Sequence, residues 1–202
     1  MKYDETAYPF LRDDCAELFG TEKGTKIFDE AQKLFEELQV DADYRNSDAI
    51  KRHMQCKIFP LIAYYKTLLE NEFTSEQALD YARKESAKVA NQKKLDNEKL
   101  AKMPCTYFLY RLGVKGHMKK NFPAEGWDLE WVELSGKEIH FDMKSCVYHE
   151  MTVKHGCPEL CTVFCENDDI AFSGLFPKIR FERGGTIGQG AERCDFHFVK
   201  VR

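Results

Sequence analysis

The stretch Lys137-Glu-Ile-His-Phe-Asp-Met-Lys-Ser145 decides the fold class of this chain. One face of the stretch carries a glutamate, a histidine and an aspartate, and the other face carries isoleucine, phenylalanine and methionine. This period of two is typical of a half-buried β-strand. Residues 127–134 are predicted to form a second strand, with Ser135 and Gly136 supplying the turn between the two. The sequence therefore predicts a hairpin at this point.

Further elements follow the hairpin. Two short helices are predicted over residues 147–166, with a break near Gly156 and Pro158. Strands are then predicted over residues 178–182 and 194–201, separated by a glycine-rich run. The order β-β-α-β-β predicts an antiparallel sheet covered by helices, which is an α+β fold.

The sequence before the hairpin has helical periodicity. Apolar residues recur at intervals of three and four between Ile27 and Leu38, which predicts an amphipathic helix of about 18 residues. Ser47 is predicted to begin the next helix, with a kink or break at Pro60.

Two more helices are predicted before residue 121. Thr74-Ser-Glu-Gln77 has the spacing of a capping box and would open the third helix. A fourth helix would begin after Pro104 and end near Gly113 or Gly116. We therefore predict a helical part over residues 1–120 and an α+β part over residues 121–202, joined in one compact unit.

Composition limits the class of protein. Of 202 residues, 43% are hydrophobic and 32% are charged, which indicates a folded chain rather than a disordered one. The net charge of −4 argues against a nucleic-acid partner. No apolar run reaches the roughly 20 residues that span a membrane, and no signal-type stretch opens the chain. We expect a cytoplasmic protein with reduced thiols, no cofactor, a small-molecule carboxylate substrate, and a second copy of itself as an optional partner in a homodimer.

Five of the eight cysteines lie after residue 145. Cys157, Cys161 and Cys165 are spaced by four, so they would form one stripe on a continuous helix. For the first two, packing is the favoured interpretation, because a buried cysteine behaves as a small hydrophobic residue. Cys165 differs, since it stands three residues before Asp168 at an expected helix end. This thiol and carboxylate could point into one pocket.

Cys146 is the best candidate for an activated thiol by position alone. It would follow a strand and precede a helix, with His149 one turn away, and a helix N-terminus lowers the pKa of a thiol. A buried cysteine at a strand end, with His149 on the surface, is an equal alternative. A zinc site made of Cys146, His149, Cys165 and Cys194 is a less favoured interpretation, because the chain has no CxxC motif.

The second half of the chain resembles the L-2-amino-thiazoline-4-carboxylic acid hydrolase family. The stretches that carry the resemblance are Phe164-Cys165-Glu-Asn-Asp168, Phe181-Glu-Arg183-Gly-Gly-Thr186-Ile187 and Gly190-Ala-Glu-Arg-Cys194-Asp195-Phe196. Leu18-Phe19-Gly20 and the stretch from His53 to Tyr64 are similar as well. The ending of the chain also resembles vinyl-reductase-like ligand-binding domains, which serve as small-molecule sensors.

The resemblance implies hydrolysis of a five-membered cyclic isothiourea that bears a carboxylate, giving N-carbamoyl-L-cysteine. Such a reaction needs a nucleophile, a proton donor for the leaving atom and a cation for the carboxylate. The residues that offer catalytic groups of this kind are Cys146, His149, Cys165, Asp168, Cys194 and Asp195. The residues predicted to bind the substrate are Arg180, Arg183 and Gly190.

Two functions stay open at this point. The first is a hydrolase with a cysteine-centred site. The second is a non-catalytic small-molecule sensor or binding domain, with or without a metal bound by cysteine and histidine.

Overall fold

The fold is described over residues 1–201 by a computed structural model. The helices are α1 Leu11–Phe19, α2 Thr21–Val40, α3 Asp48–His53, α4 Phe59–Glu70, α5 Ser75–Ala101, α6 Thr106–Asn121, α7 Val147–Lys154 and α8 Cys161–Ser173. The strands are β1 Leu129–Leu134, β2 Glu138–Met143, β3 Ile179–Glu182 and β4 Cys194–Lys200. A π-helical turn at Met54–Ile58 joins α3 to α4, and 3₁₀ turns occur at Tyr3–Glu5, Pro158–Leu160 and Ile187–Gln189. The predicted α+β class is confirmed.

The four strands form one antiparallel sheet in the order β1-β2-β4-β3. Phe141 of β2 lies opposite Phe196 of β4, and their rings stack with centroids 5.1 Å apart. Phe198 packs beside them and is buried under α8, where Phe172 meets its ring. We call this covered side the inner face of the sheet. The opposite, outer face carries the polar residues of the alternating pattern.

The irregularity predicted at Pro60 takes the form of the π-helical turn just before it. Proline has no N–H group, so Pro60 cannot donate to the carbonyl of Cys56 four residues earlier. That carbonyl accepts a hydrogen bond from the backbone N–H of Ala7 instead, at 2.9 Å. The wider turn therefore accommodates the proline without ending the helical run.

Two predicted helix ends are wrong. Helix α6 continues past Gly113 and Gly116 to Asn121, because an interior glycine weakens a helix by only about 1 kcal/mol. Helix α8 continues to Ser173, so Cys165 lies inside the helix and not at its end. The capping box that opens α5 is confirmed by reciprocal bonds between Thr74 and Gln77.

Helix α5 from the helical part packs along α8 from the α+β part. The side-chain amide of Asn97 donates to the carbonyl of Ala171 at 2.7 Å, and both groups are buried. Gly174 approaches the backbone of Lys94 so closely that a Cβ atom would lie 2.3 Å from its carbonyl oxygen. Across residues 1–201, none of the helices is long and apolar enough to cross a membrane.

Candidate active site

Three thiols face one loop on the inner side of the sheet, and the fourth, that of Cys146, lies close enough to Cys194 and Cys165 for their charges to interact. We define this thiol cluster as Cys146, Cys161, Cys165 and Cys194. A Cβ atom on Gly188 would lie 3.0 Å from the sulfur of Cys161 and 3.1 Å from that of Cys165. The backbone N–H of Ile187 points at the sulfur of Cys194, at 3.3 Å. The loop between β3 and β4 therefore covers Cys161, Cys165 and Cys194, and glycine permits its close approach.

Cys161 and Cys165 form a pair one turn apart at the start of α8. A hydrogen bond from the Cys161 thiol stabilises the Cys165 thiolate, and this is the main reason that the pKa of Cys165 is lowered. The hydroxyl of Thr186 and the charge of Arg183 act in the same direction, while burial opposes them. The same hydrogen bond raises the pKa of Cys161. Cys165 is consequently the member of the pair that ionises first.

The two remaining thiols of the cluster stay protonated at neutral pH. Burial raises the pKa of Cys146 to about 12 and that of Cys194 to about 11. Cys146 does precede α7 as predicted, and the backbone amides of His149 and Tyr148 lower its pKa. Burial outweighs them, so Cys165 is the one member of the thiol cluster whose pKa is lowered.

Asp168 lies one helical turn after Cys165. Burial raises the pKa of its carboxyl to about 6, although the guanidinium of Arg183, 3.1 Å away, acts to lower it. Water still reaches the group, since 37% of the side chain is exposed. With this pKa it can both donate and accept a proton near neutral pH.

Arg183 holds these two residues in place. Its guanidinium donates to the carbonyl of Cys165 at 2.6 Å and to the carboxylates of Asp168 and Asp169 at 3.1 and 2.7 Å. Its side chain is only 6% exposed. Two protein carboxylates already neutralise the charge of Arg183, which argues against the prediction that this residue binds a substrate carboxylate.

Lys57, on the π-helical turn, is a cation that the sequence analysis missed. Desolvation lowers the pKa of its amine, although the residue as a whole is exposed, and the charge of Asp168 raises it, so the two groups lie close enough for their charges to interact. Within residues 1–201 its amine has no ion pair or hydrogen bond. The sequence feature that could have pointed to Lys57 is Pro60, which is accommodated by the π-helical turn that carries this lysine. Turns of this kind occur often at functional sites.

Two tyrosines, also missed, stand near the same carboxyl. Burial raises the pKa of Tyr110 and of Tyr148, and Asp168 contributes to both shifts. The Tyr148 hydroxyl donates to Nδ1 of His53 at 2.6 Å, and Nε2 of that histidine faces a backbone carbonyl at 3.1 Å. Burial lowers the pKa of His53 to about 3, so the imidazole is neutral and accepts this bond.

Four predicted site residues do not join the thiol cluster. Asp195 is next to Cys194 in the sequence but lies on the outer face of the sheet, because side chains alternate along a strand. Arg180 likewise lies away from the inner face, and it pairs with Glu182 at 2.5 Å. His149 contributes its backbone amide, and no contact joins its imidazole to a thiol in the part of the chain that the structure describes. Gly190 ends a 3₁₀ turn with φ of 89°, at an exposed position.

The zinc site considered from the sequence is not assembled either. Among residues 1–201, one group of three or more potential metal ligands has its atoms within 4.8 Å of one another, and it contains no cysteine. That group is His140, Asp142 and Asp195. The thiols of Cys146, Cys165 and Cys194 therefore do not form a set of metal ligands with His149.

The model of the L-2-amino-thiazoline-4-carboxylic acid hydrolase family matches residues 51–198. The chain belongs to this family. The match extends from before the π-helical turn into β4, so it includes Lys57, Asp168 and the whole thiol cluster. The family name suggests a hydrolase. No curated protein and no solved structure matches this family member.

Proposed function

We propose that this family member opens the ring of L-2-amino-thiazoline-4-carboxylate, or of a similar small cyclic carboxylate, to N-carbamoyl-L-cysteine. The observation that carries the proposal is the placement of Cys165 between the Cys161 thiol and Asp168. A thiolate needs a hydrogen-bond donor to be populated at neutral pH, and a leaving sulfur needs a proton donor. The Cys161 thiol and the Asp168 carboxyl supply these two groups, and both lie with Cys165 within two turns of α8.

The first half of the reaction is attack by the thiolate. The Cys165 sulfur adds to the ring carbon that lies between sulfur and nitrogen. The bond from that carbon to the ring sulfur then breaks, its electron pair stays on sulfur, and the Asp168 carboxyl supplies the proton. The product is an open isothiourea attached to Cys165, with a free thiol on the substrate.

The second half is hydrolysis of this isothiourea. Water adds to the same carbon and gives a proton to the Asp168 carboxylate. The bond to Cys165 breaks and the thiolate is restored, which leaves a carbamoyl group on the substrate nitrogen. The sum of both halves is the addition of one water molecule to the ring.

Lys57 is the cation assigned to the substrate carboxylate. Its amine lacks a partner of its own, whereas Arg183 is committed to Asp168 and Asp169. An anionic ligand beside Lys57 would also restore the favourable charge state of a partly desolvated amine. Arg183 keeps the role of a positioning residue.

The test is thiol release from L-2-amino-thiazoline-4-carboxylate. Cys165→Ser should reduce kcat by at least about 100-fold, since a hydroxyl is hardly ionised at neutral pH. Two matched controls, Cys157→Ser for a buried thiol and Cys105→Ser for an exposed one, should keep the parent rate.

Two outcomes would overturn the proposal. If Cys165→Ser retains the parent rate, the nucleophile is wrong. If the parent protein binds the compound in calorimetry but releases no thiol, the chain is a binding domain of the kind that the sequence left open.

A further inference from the structure

The outer face of the sheet carries a second cluster, opposite the thiols. Strands β2 and β4 pair His140 with His197 and Asp142 with Asp195. Pairing therefore aligns two imidazoles and two carboxylates on the outer face of the sheet. The hydrolase site proposed above does not use these groups.

Three of these groups converge on one point. Nε2 of His140 lies 2.9 Å from Oδ1 of Asp195 and 3.6 Å from Oδ1 of Asp142, and all three atoms lie within 4.8 Å of one another. Ligands bound at about 2.1 Å to one ion stand about 3.0 to 3.4 Å apart in octahedral or tetrahedral arrangement. Small side-chain adjustments would bring the three atoms to these separations.

Asp142 gives the second and independent indication. Its side chain is only 10% exposed, and its Oδ1 atom is buried without any hydrogen-bond partner. The other oxygen of the same carboxylate is held by Arg193 at 2.9 Å. A buried, unpartnered carboxylate oxygen is costly unless a cation neutralises it. This oxygen is directed at His140.

Protein donors also orient the second carboxylate. The backbone N–H of Gly184 donates to Oδ2 of Asp195 at 3.1 Å, which leaves Oδ1 turned towards His140. A Cβ atom on Gly184 would lie 3.1 Å from the same oxygen. Each carboxylate therefore has one oxygen bound to the protein and one directed at the shared point, as the ligands of metal sites commonly do.

The geometry points to a divalent-cation site formed by His140, Asp142 and Asp195. One imidazole and two carboxylates suit a first-row ion such as manganese, and they leave coordination positions for water. The ion would fasten β2 to β4 and to the loop that begins at Gly184. Because the sheet separates it from the thiols, the ion acts on structure, and the inference stands whether or not the proposed hydrolysis is correct.

Manganese is the best probe, because it prefers oxygen and imidazole ligands to thiolates. The full chain, stripped with chelator, should remove one equivalent of free Mn²⁺ from the electron paramagnetic resonance signal. His140→Ala and Asp195→Asn should each weaken binding by at least about tenfold. His197→Ala is the matched control, since this histidine stacks on His140 with a similar exposed fraction but is not a ligand, and it should bind as the parent does.

Thermal unfolding separates binding from damage to the fold. The parent should melt at a higher temperature with Mn²⁺ than without it. Asp142→Asn should lose most of this Mn²⁺-dependent rise, because it replaces a charged ligand by a neutral amide. The inference is overturned if millimolar Mn²⁺ does not bind, or if it binds equally to the parent, His140→Ala and Asp195→Asn.

Discussion

Replacing Cys161 by alanine tests the thiol pair directly. The substitution removes the donor that stabilises the Cys165 thiolate and leaves Thr186 and Arg183 in place. A hydrogen bond to a charged group contributes about 1.5–3 kcal/mol, and 1.36 kcal/mol corresponds to one pKa unit. Cys165 is partly exposed, so water replaces some of the loss, and the pKa should rise by about one unit.

The assay is the pH dependence of Cys165 alkylation by iodoacetamide, followed by peptide mass. In the variant the curve of alkylation rate against pH should move to higher pH. Its rate should be about tenfold lower near pH 7, and it should equal the parent rate at a pH where Cys165 is ionised in both proteins. Cys157→Ala is the matched control, because Cys157 is as buried as Cys161, each with 1% of its surface exposed. An unchanged curve for Cys161→Ala, or the same displacement in the control, would refute the reasoning.

Four further predictions concern single positions. Asp168→Asn should lower kcat by about 100-fold and abolish the loss of activity that the parent shows as pH rises through about 6, which a pH–rate profile measures. Gly188→Ala should displace the loop from the thiols and slow alkylation and turnover, whereas Gly136→Ala, with open space around it, should change neither. Lys57→Met should raise KM for the carboxylate substrate more than it lowers kcat, and steady-state kinetics would contradict it if KM is unchanged. Burial raises the pKa of Glu85 on α5 in the folded protein. The stability that this shift contributes is present below the pKa of Glu85 in the unfolded chain and is lost as pH rises through the folded pKa. Glu85→Gln should therefore raise the urea midpoint more at pH 8 than at pH 5.

Local pattern predicted much of the sheet and little of the site. The alternation around His140 and Asp142 sufficed for β2, because each strand residue faces one of two sides whatever lies beyond it. Applied to the neighbours Cys194 and Asp195, the same rule would have placed their side chains on opposite faces of the sheet. Asp168 and Cys165 share helix α8, so their spacing of three places them about one turn apart whatever the rest of the fold does.

The rest of the site depends on contacts between distant segments. Lys57 lies near enough to Asp168 for their charges to interact, although more than a hundred residues separate them in the chain, and no local spacing predicts this. Cys161 was interpreted as packing, since nothing in its spacing shows that Cys165 is its hydrogen-bond partner and Gly188 its cover. The rise in the pKa of Cys146 likewise follows from burial that only the assembled core produces.

The loop between β3 and β4 has a consequence for protein engineering. Gly184 meets a carboxylate on the outer face, and Gly188 meets two sulfurs on the inner face, only four residues later. A library that varies this loop to change substrate range would therefore disturb both faces at once, and most of its members would be lost for reasons unrelated to the substrate. Tyr110 and Tyr148 lie on separate helices, so varying them would reshape the surroundings of Asp168 while the loop stays intact.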